Sequence, residues 1–63
     1  MKIGDRLREL RYQKKLSQRG LAVATQISKN RIGRIERGEF KPTFEEVITL
    51  AEYFKVSTDD LAH

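Results

Sequence analysis

The sequence has 63 residues and a net charge of +4, which suits one small basic domain, residues 1–63, with a polyanionic partner. It contains no cysteine, and its one histidine is the terminal His63, so disulfides and Cys- or His-based metal sites are excluded and we expect no metal or cofactor. No apolar run reaches the roughly 20 residues that span a bilayer and no signal peptide is visible, so we expect a cytoplasmic protein without membrane contact.

Residues 3–14 are predicted to form the first helix. Ile3, Leu7 and Leu10 follow one another at spacings of four and three residues, which is typical of a helix with one apolar side. Arg11 lies four residues after Leu7, on the flank of that apolar side. A charged side chain in this position needs a partner elsewhere in the chain.

Residues 17–38 are predicted to form two short helices joined by a tight turn. Ser17 is a suitable N-cap for the second helix, about residues 18–25, and Ser28 for the third, about residues 28–37. Gly38 is typical of the position just after a helix. On a wheel of the third helix, the inward side holds Ile32, Ile35 and Glu36. The outward side holds Asn30, Arg34 and Arg37.

Residues 43–62 predict two further helices. Thr43-Phe44-Glu45-Glu46 is a complete capping box, which opens a fourth helix over about residues 44–54 with Phe44 among its apolar core residues. Ser57 caps a fifth helix over about residues 58–62, anchored by Leu61. No strand-type alternation or repeat is visible, so the expected fold class is all-α with five helices.

Charge is distributed unevenly along the chain. Residues 1–37 hold eleven Lys and Arg against three acids, a balance of +8, whereas residues 38–63 hold two against six, a balance of −4. This asymmetry predicts one face that attracts a polyanion such as nucleic acid. Composition alone also allows a basic surface that only keeps the protein in solution.

The outward side of the third helix carries side chains that can read duplex DNA. A major groove about 12 Å wide admits one helix, in which Arg and Lys donate to guanine and Asn pairs bidentately with adenine. Lys29, Asn30 and Arg34 supply these groups, so we predict them to be base-reading residues. Gly33 beside them either lets the backbone approach the groove closely or is only tolerated in the helix.

Glu36 lies on the inward side of the same helix and is the natural partner of Arg11. We predict a semi-buried ion pair between them that ties the first helix to the third. Such a pair adds little net stability, but a buried charge left without its partner is costly. The pairing also keeps an acid away from the DNA phosphates.

Short motifs at specific spacings cover almost the whole chain, about residues 3–61: Leu16-Ser17-Gln18, Leu21-Ala22, Ile27-Ser28, Ile32, Arg34-Ile35-Glu36-Arg37-Gly38, Pro42, Leu50-Ala51-Glu52, Val56-Ser57 and Asp60-Leu61. In these motifs the chain resembles the phage-repressor/Cro-like (XRE-type) helix-turn-helix domains. The resemblance implies a compact lambda-repressor-like domain in which helices two and three form the helix-turn-helix. It also implies binding of operator DNA as a dimer and regulation of transcription.

The same resemblance makes Lys29, Asn30 and Arg34 the main base readers. It supports a structural role for the pair of Arg11 and Glu36. Residue charge, position at a helix N-terminus and the resemblance together give the predicted contacts to the DNA backbone: Gln18, Arg19, Ser28, Arg31, Arg37 and Lys41.

Three positions depart from the family pattern in the second helix and its turn. Gln26 stands where Gly is usual, so a left-handed backbone there would cost roughly 1 kcal/mol or more. Thr25 stands where Leu is usual, which is expected to thin the core between helices two and three. Gly20 replaces the usual acidic residue of the cap.

We therefore expect a sequence-specific regulator of transcription, foremost a repressor, that is associated with the nucleoid when bound to DNA. A homodimer would place two third helices in successive major grooves of a palindromic operator, about 34 Å apart. DNA would repel the acidic C-terminal third, so the predicted dimer residues lie there: Phe40, Tyr53, Val56 and Leu61.

The alternative function is an antitoxin-like or antirepressor-like module that binds a partner protein. Its contact surface would use the exposed apolar residues Val23, Ala24, Phe40 and Tyr53. An enzyme is not expected, because the chain lacks cysteine, an internal histidine, a phosphate-binding glycine-rich loop and an evident pair of carboxylates in a cleft.

Overall fold

Side-chain caps mark the starts of four of the five helices in the computed structural model, which describes residues 2–62. They are α1 (Ile3–Gln13), α2 (Gln18–Thr25), α3 (Lys29–Glu36), α4 (Phe44–Phe54) and α5 (Thr58–Ala62). The hydroxyl oxygens of Ser17 and Ser28 accept hydrogen bonds from the backbone N–H groups of Gly20 and Arg31, at 2.9 and 3.1 Å. The predicted all-α, five-helix architecture is confirmed for this range. The expectation about metal sites also concerned His63, which lies outside the described residues.

The capping box at the start of α4 forms as predicted. Glu46 N–H donates to the hydroxyl of Thr43 at 3.1 Å, and Thr43 N–H donates to the Glu46 carboxylate at 2.8 Å. Ser57 caps α5 by accepting from Asp60 N–H at 2.9 Å. Within residues 2–62, no helix is both long and apolar enough to cross a bilayer.

One apolar core joins all five helices. α3 packs on α1 and α2, α4 packs on α2 and α5, and α5 also contacts α1. The buried apolar residues are Leu7, Leu10, Leu21, Ile27, Ile32, Ile35, Leu50, Ala51, Phe54 and Leu61. Because both neighbours of α3 contribute to this core, the inward side of α3 is fixed and its opposite side faces solvent.

Two expectations about the apolar residues of the C-terminal third are wrong. Leu61 was expected on a dimer surface, but its side chain is 0% exposed within the single chain, so no partner can reach it. Phe44 was expected in the core but is 77% exposed. It lies in the first turn of α4, where the neighbouring helices no longer cover the apolar side of the helix.

α1 crosses the end of α3 at a glycine that the sequence analysis did not single out. A Cβ atom added to Gly4 would lie 2.4 Å from the carbonyl oxygen of Ile35 and 2.7 Å from that of Glu36. Both oxygens belong to backbone, which cannot rotate away as a side chain can. The close approach of α1 to α3 therefore depends on the missing side chain at residue 4.

The turn between α2 and α3 has a left-handed backbone at Gln26, with φ 62° and ψ 20°. Thr25, which stands where Leu is usual, makes up for the lost apolar contact with hydrogen bonds. Its buried hydroxyl donates to the Leu21 carbonyl at 2.8 Å and accepts from Ile27 N–H at 3.4 Å. The polar atom is thus satisfied, and Thr25 closes the end of α2 by hydrogen bonding.

Replacing Gln26 by Gly is expected to raise the free energy of unfolding by about 0.5–1 kcal/mol, because Gly adopts the left-handed conformation without the Cβ penalty but loses more chain entropy. Denaturant titration of the two proteins measures the difference. Gln26→Ala is the matched control, since it removes the exposed amide but keeps the Cβ atom. An equal gain from Gln26→Ala would show that backbone strain is not the cause.

Candidate nucleic-acid interface

The outward side of α3 and the start of α2 enclose a shallow polar depression of about 270 Å³. We call its lining residues the recognition face: Gln18, Lys29, Asn30, Gly33, Arg34 and Arg37. All three predicted base-reading residues therefore lie together, and all three are exposed. Within residues 2–62, the side-chain hydrogen bonds of α3 and its C-cap residue involve Arg31, Glu36 and Arg37 rather than these three. Their donors and acceptors are available to a ligand.

The inward side of α3 holds the recognition face in place. Ile32 and Ile35 are 0% exposed in the core, and Glu36 is 4% exposed. A rotation of α3 that changed the direction of Arg34 would have to expose these residues. The core thus determines which side chains of α3 can reach a groove.

Glu36 is the centre of a buried hydrogen-bond network that joins α1, α2 and α3. Arg11 donates to it twice, from Nε to Oε2 at 2.8 Å and from Nη2 to Oε1 at 3.0 Å. The remaining Nη1 of Arg11 donates to the Leu16 carbonyl at 2.8 Å. Gln18 Nε2 donates to Glu36 Oε1 at 3.1 Å. The structure thus brings together the predicted partners Arg11 and Glu36, and Gln18 also belongs to their hydrogen-bond network.

Burial and hydrogen bonding act in opposite directions on the pKa of Glu36. Burial raises this pKa, while the hydrogen bonds from Arg11 and Gln18 and the positive charges of Arg11 and Arg8 lower it. The lowering effects are together the larger, so the pKa of Glu36 lies below its usual value. The carboxylate is therefore ionised at neutral pH, and its hydrogen bonds with Arg11 and Gln18 are charge-assisted.

The same network orients Gln18 at the edge of the recognition face. Its amide nitrogen is bound to Glu36, and its Oε1 would lie 3.5 Å from a Cβ atom placed on Gly33. The same Cβ atom would lie 3.1 Å from Nη1 of Arg37. Because 3.5 Å is an ordinary contact distance, Gly33 makes room for the Arg37 guanidinium alone, an explanation beyond the two that the sequence left open.

Arg31, a predicted phosphate contact, has a partner within the chain. Its guanidinium donates to the Glu46 carboxylate from Nε at 2.6 Å and from Nη2 at 3.0 Å. The hydrogen bond with Arg31 lowers the pKa of Glu46. Arg31 thus ties α3 to the capping box of α4 through the Nε–Nη2 edge of its guanidinium. The ion pair gives Arg31 an interhelical role that was not predicted, and its contact with the DNA backbone stays a prediction.

Of the other predicted backbone contacts, Gln18 and Arg37 line the depression, whereas Arg19, Ser28 and Lys41 lie outside its lining. Arg19, Ser28 and Lys41 are exposed, although the Ser28 hydroxyl oxygen already accepts the N-cap bond of α3. Arg37 pairs with Glu39 at 2.8 Å, with both side chains about half exposed. A surface pair of this kind is weak and can be exchanged for a phosphate.

The predicted dimer residues divide into three classes. Leu61 is buried in the core, as described above. Tyr53 and Val56 are half-buried and pack against the core from outside. Phe40 is 41% exposed, and the guanidinium groups of Arg31 and Arg34 lie against its ring. Other exposed apolar side chains are Val23, Phe44 and Tyr12.

The described residues contain no cluster of three or more His, Cys, Asp and Glu side chains that could hold a metal ion. The recognition face instead offers amide and cationic donors around a polar concavity. Such a set can bind phosphates and the edges of bases.

A family model described as a helix-turn-helix domain matches residues 2–63 of the chain. The chain belongs to this helix-turn-helix domain family. Membership confirms the family and fold class expected from the sequence motifs, and it confirms that this helix-turn-helix domain is not an enzyme.

Among characterised relatives of the helix-turn-helix domain is the HTH-type transcriptional regulator DdrOP3 of Deinococcus deserti, which is 38% identical over 61 residues. The match covers 97% of this chain but 47% of the relative, so the chain spans about half the length of that protein.

Two solved structures share the architecture of this helix-turn-helix domain. The restriction-modification controller protein C.AhdI from Aeromonas hydrophila has a TM-score of 0.86 and 34% identity, covering 94% of this chain and 89% of that one. The DNA-binding domain of BldD has a TM-score of 0.84 and 28% identity, covering 98% and 90% respectively. The similarity thus extends over nearly the whole of each structure.

Three residues that hold α3 in place were not predicted from the sequence. Gly4 permits the contact of α1 with α3, and Arg8 donates from Nη2 to the Glu36 carbonyl at 3.0 Å. Glu46 holds Arg31 in addition to its predicted capping role. Only Arg8 carries a local signal, because it lies one helical turn after Gly4 and three residues before Arg11, on the side that faces α3.

Proposed function

We propose that this chain is the operator-binding domain of a transcriptional repressor, in which α3 enters the major groove of double-stranded DNA. The observation that carries the proposal is the recognition face, where Lys29, Asn30 and Arg34 are exposed together beside a polar depression. The regulators and the DNA-binding domain among its relatives support the same function. The protein would act in the cytoplasm, associated with the nucleoid when bound to DNA.

Each part of the recognition face would have a distinct task. Lys29 and Arg34 can donate to guanine, and Asn30 can pair with adenine, which supplies base readout. Contacts to phosphates would supply affinity and register without sequence information. The residues proposed for them are Gln18 and Arg37 beside the readers, together with Arg19, Ser28 and Lys41.

We further propose that two copies bind a palindrome as a homodimer, with half-sites about 34 Å apart, one turn of B-DNA. The acidic C-terminal third supports this arrangement, because its balance of −4 disfavours contact with DNA and leaves it for a second copy. The dimer residues retained from the sequence are Tyr53 and Val56, which are half-buried, and the exposed Phe40. Sedimentation with and without the selected duplex measures the assembly, and a strict monomer on a single half-site would refute it.

Selection of bound duplexes from random DNA tests the proposed function as a whole. We expect enrichment of a palindromic sequence and binding that weakens steeply with salt, with log K falling linearly in log salt as phosphate contacts release counterions. A protein that enriched no sequence, or whose DNA affinity did not respond to salt, would not be the proposed operator-binding domain.

Replacing Arg34 by Ala is expected to cost about 1–3 kcal/mol of binding to the selected duplex and to relax the preference at one base pair. Lys41→Ala is the matched control, because it also removes one exposed cation but is expected to weaken binding to all sequences alike. Competition binding against duplexes changed at single base pairs measures both effects. Equal, sequence-independent losses from the two changes would refute the role of Arg34 as a reader.

The alternative is an antitoxin-like or antirepressor-like module that binds another protein. The observation in its favour is exposed apolar surface, since Val23 is 77% exposed on α2 and Phe44 is 77% exposed on α4. Val23→Ser should then abolish capture of that partner and leave DNA affinity unchanged. Binding through apolar contacts would also respond far less to salt than binding to DNA.

A further inference from the structure

The loop between α3 and α4 returns to Arg34 and carries Phe40 with it. Gly38 reverses the chain with φ 80°, and the backbone N–H groups of Glu39 and Phe40 both donate to the Arg34 carbonyl, at 2.8 and 3.4 Å. The ring of Phe40 thereby lies beside the Arg34 side chain, with Cζ of Arg34 5.2 Å from the ring centroid. This distance is within the roughly 6 Å range of a cation–π contact.

The Phe40 ring is itself supported from α4. Cζ of Arg31 lies 5.3 Å from the same centroid, and the Arg31 guanidinium is held by two hydrogen bonds to Glu46. Glu46 is in turn fixed by the capping box with Thr43. An anchored guanidinium therefore forms one contact of the ring, and the guanidinium of Arg34 forms the other.

Arg34 has no comparable anchor of its own. Within residues 2–62, the arginines of α3 and its C-cap that form ion pairs are Arg31 and Arg37, and not Arg34. A long side chain loses rotamer freedom when it binds, so a contact that holds it beforehand reduces the entropy lost on binding. The Phe40 ring is placed to provide that contact.

We propose that Phe40 is a positioning residue that sets the sequence specificity of the recognition face by holding Arg34 ready for base readout. The inference rests on the proposed function, in which Arg34 reads a base. The cation–π contact acts on the charge of the guanidinium, whereas hydrogen bonding to guanine uses its N–H groups. Both contacts can therefore form at once, and DNA can add its bonds without displacing the ring.

The test compares Phe40→Leu, which keeps apolar volume but removes the aromatic face, with Phe40→Tyr, which keeps that face. Each protein is titrated with the duplex selected from random DNA and with duplexes changed at the base pair to which Arg34→Ala is sensitive. We expect Phe40→Leu to lower discrimination at that base pair about two- to fivefold, the loss of one exposed cation–π contact. Phe40→Tyr should retain the original discrimination, and neither change should alter the salt dependence, because phosphate contacts are unchanged.

A second comparison separates this inference from the proposed function. In the Arg34→Ala background, Phe40→Leu should have no further effect on discrimination. A further loss of discrimination in that background, or an equal loss of affinity for every duplex, would overturn the positioning role. A lower mass of Phe40→Leu in solution that explained its loss would also overturn it, because Phe40 would then be a dimer contact. If Arg34→Ala lowers discrimination but Phe40→Leu does not, only the inference fails. If Arg34→Ala itself leaves discrimination intact, the reader assignment in the proposed function fails.

Discussion

Replacing Glu36 by Ala is expected to lower the free energy of unfolding by about 3–5 kcal/mol, because Arg11 would remain buried without its partner. Arg11 is 7% exposed and donates two of its hydrogen bonds to this carboxylate. A domain of this size has a total stability of roughly 3–5 kcal/mol, so the variant should be largely unfolded at room temperature. Circular dichroism during urea titration measures the loss.

The double variant Arg11→Met with Glu36→Leu is the matched control for this prediction. It removes both charges and fills the space with apolar atoms, so we expect it to fold and to recover most of the stability. A double variant as unstable as Glu36→Ala would show that packing, and not an unpaired charge, is the cause. Glu36→Gln should lie between these variants, because its amide oxygen can still accept from Arg11.

The lowered pKa of Glu36 fixes the sign of the accompanying pH dependence. The pKa of Glu36 is lower in the folded chain than in the unfolded chain, where the pKa of a Glu is about 4.3. The pair therefore contributes its full stability above that value and loses it as the pH falls through the folded pKa. Because protonated Glu36 resembles Gln, the stabilities of the protein and of Glu36→Gln should differ at pH 7 and converge in acid. A difference that stayed constant down to acid pH would contradict the lowered pKa.

Replacing Gly4 by Ala is expected to lower the free energy of unfolding by about 2–3 kcal/mol, an overpacking effect at the contact of α1 with α3. The new Cβ atom would meet the Ile35 and Glu36 carbonyl oxygens at 2.4 and 2.7 Å, distances that force the helices apart. For a domain of this length the midpoint temperature should fall by roughly 10 °C or more. Thermal unfolding followed by circular dichroism measures it.

Gly20→Ala is the matched control, because it adds the same methyl group to a helix at a position where the nearest atoms belong to side chains and not to backbone. Its Cβ atom would lie 3.2 Å from the flexible Cδ2 of Leu16, which can shift. Ala also favours a helix over Gly by about 1 kcal/mol, so Gly20→Ala should be neutral or stabilising. If both variants lost the same stability, the approach of α1 to α3 would not be the reason.

The predicted side chains of the recognition face and the Arg11–Glu36 pair could be located from sequence because helical periodicity determines which residues share a side of α3. Ile32 and Ile35 mark the inward side, so Arg34 must point outward. Glu36 on the inward side needs a cationic partner, and Arg11 on the flank of the apolar side of α1 is the natural one. Arg31 could not be assigned in this way, because its position suits a phosphate or the Glu46 carboxylate equally well.

The sequence by itself determined the ends of the helices and their inward and outward sides. Those features depend on contacts three or four residues apart, such as the bond from Gly20 N–H to Ser17. Only the tertiary structure decided the burial of Leu61, the exposure of Phe44, the need for Gly4 and the place of Phe40 beside Arg34. Each of these depends on how closely elements distant along the chain, or a loop that returns to its helix, approach one another. Local spacing contains no measure of that distance.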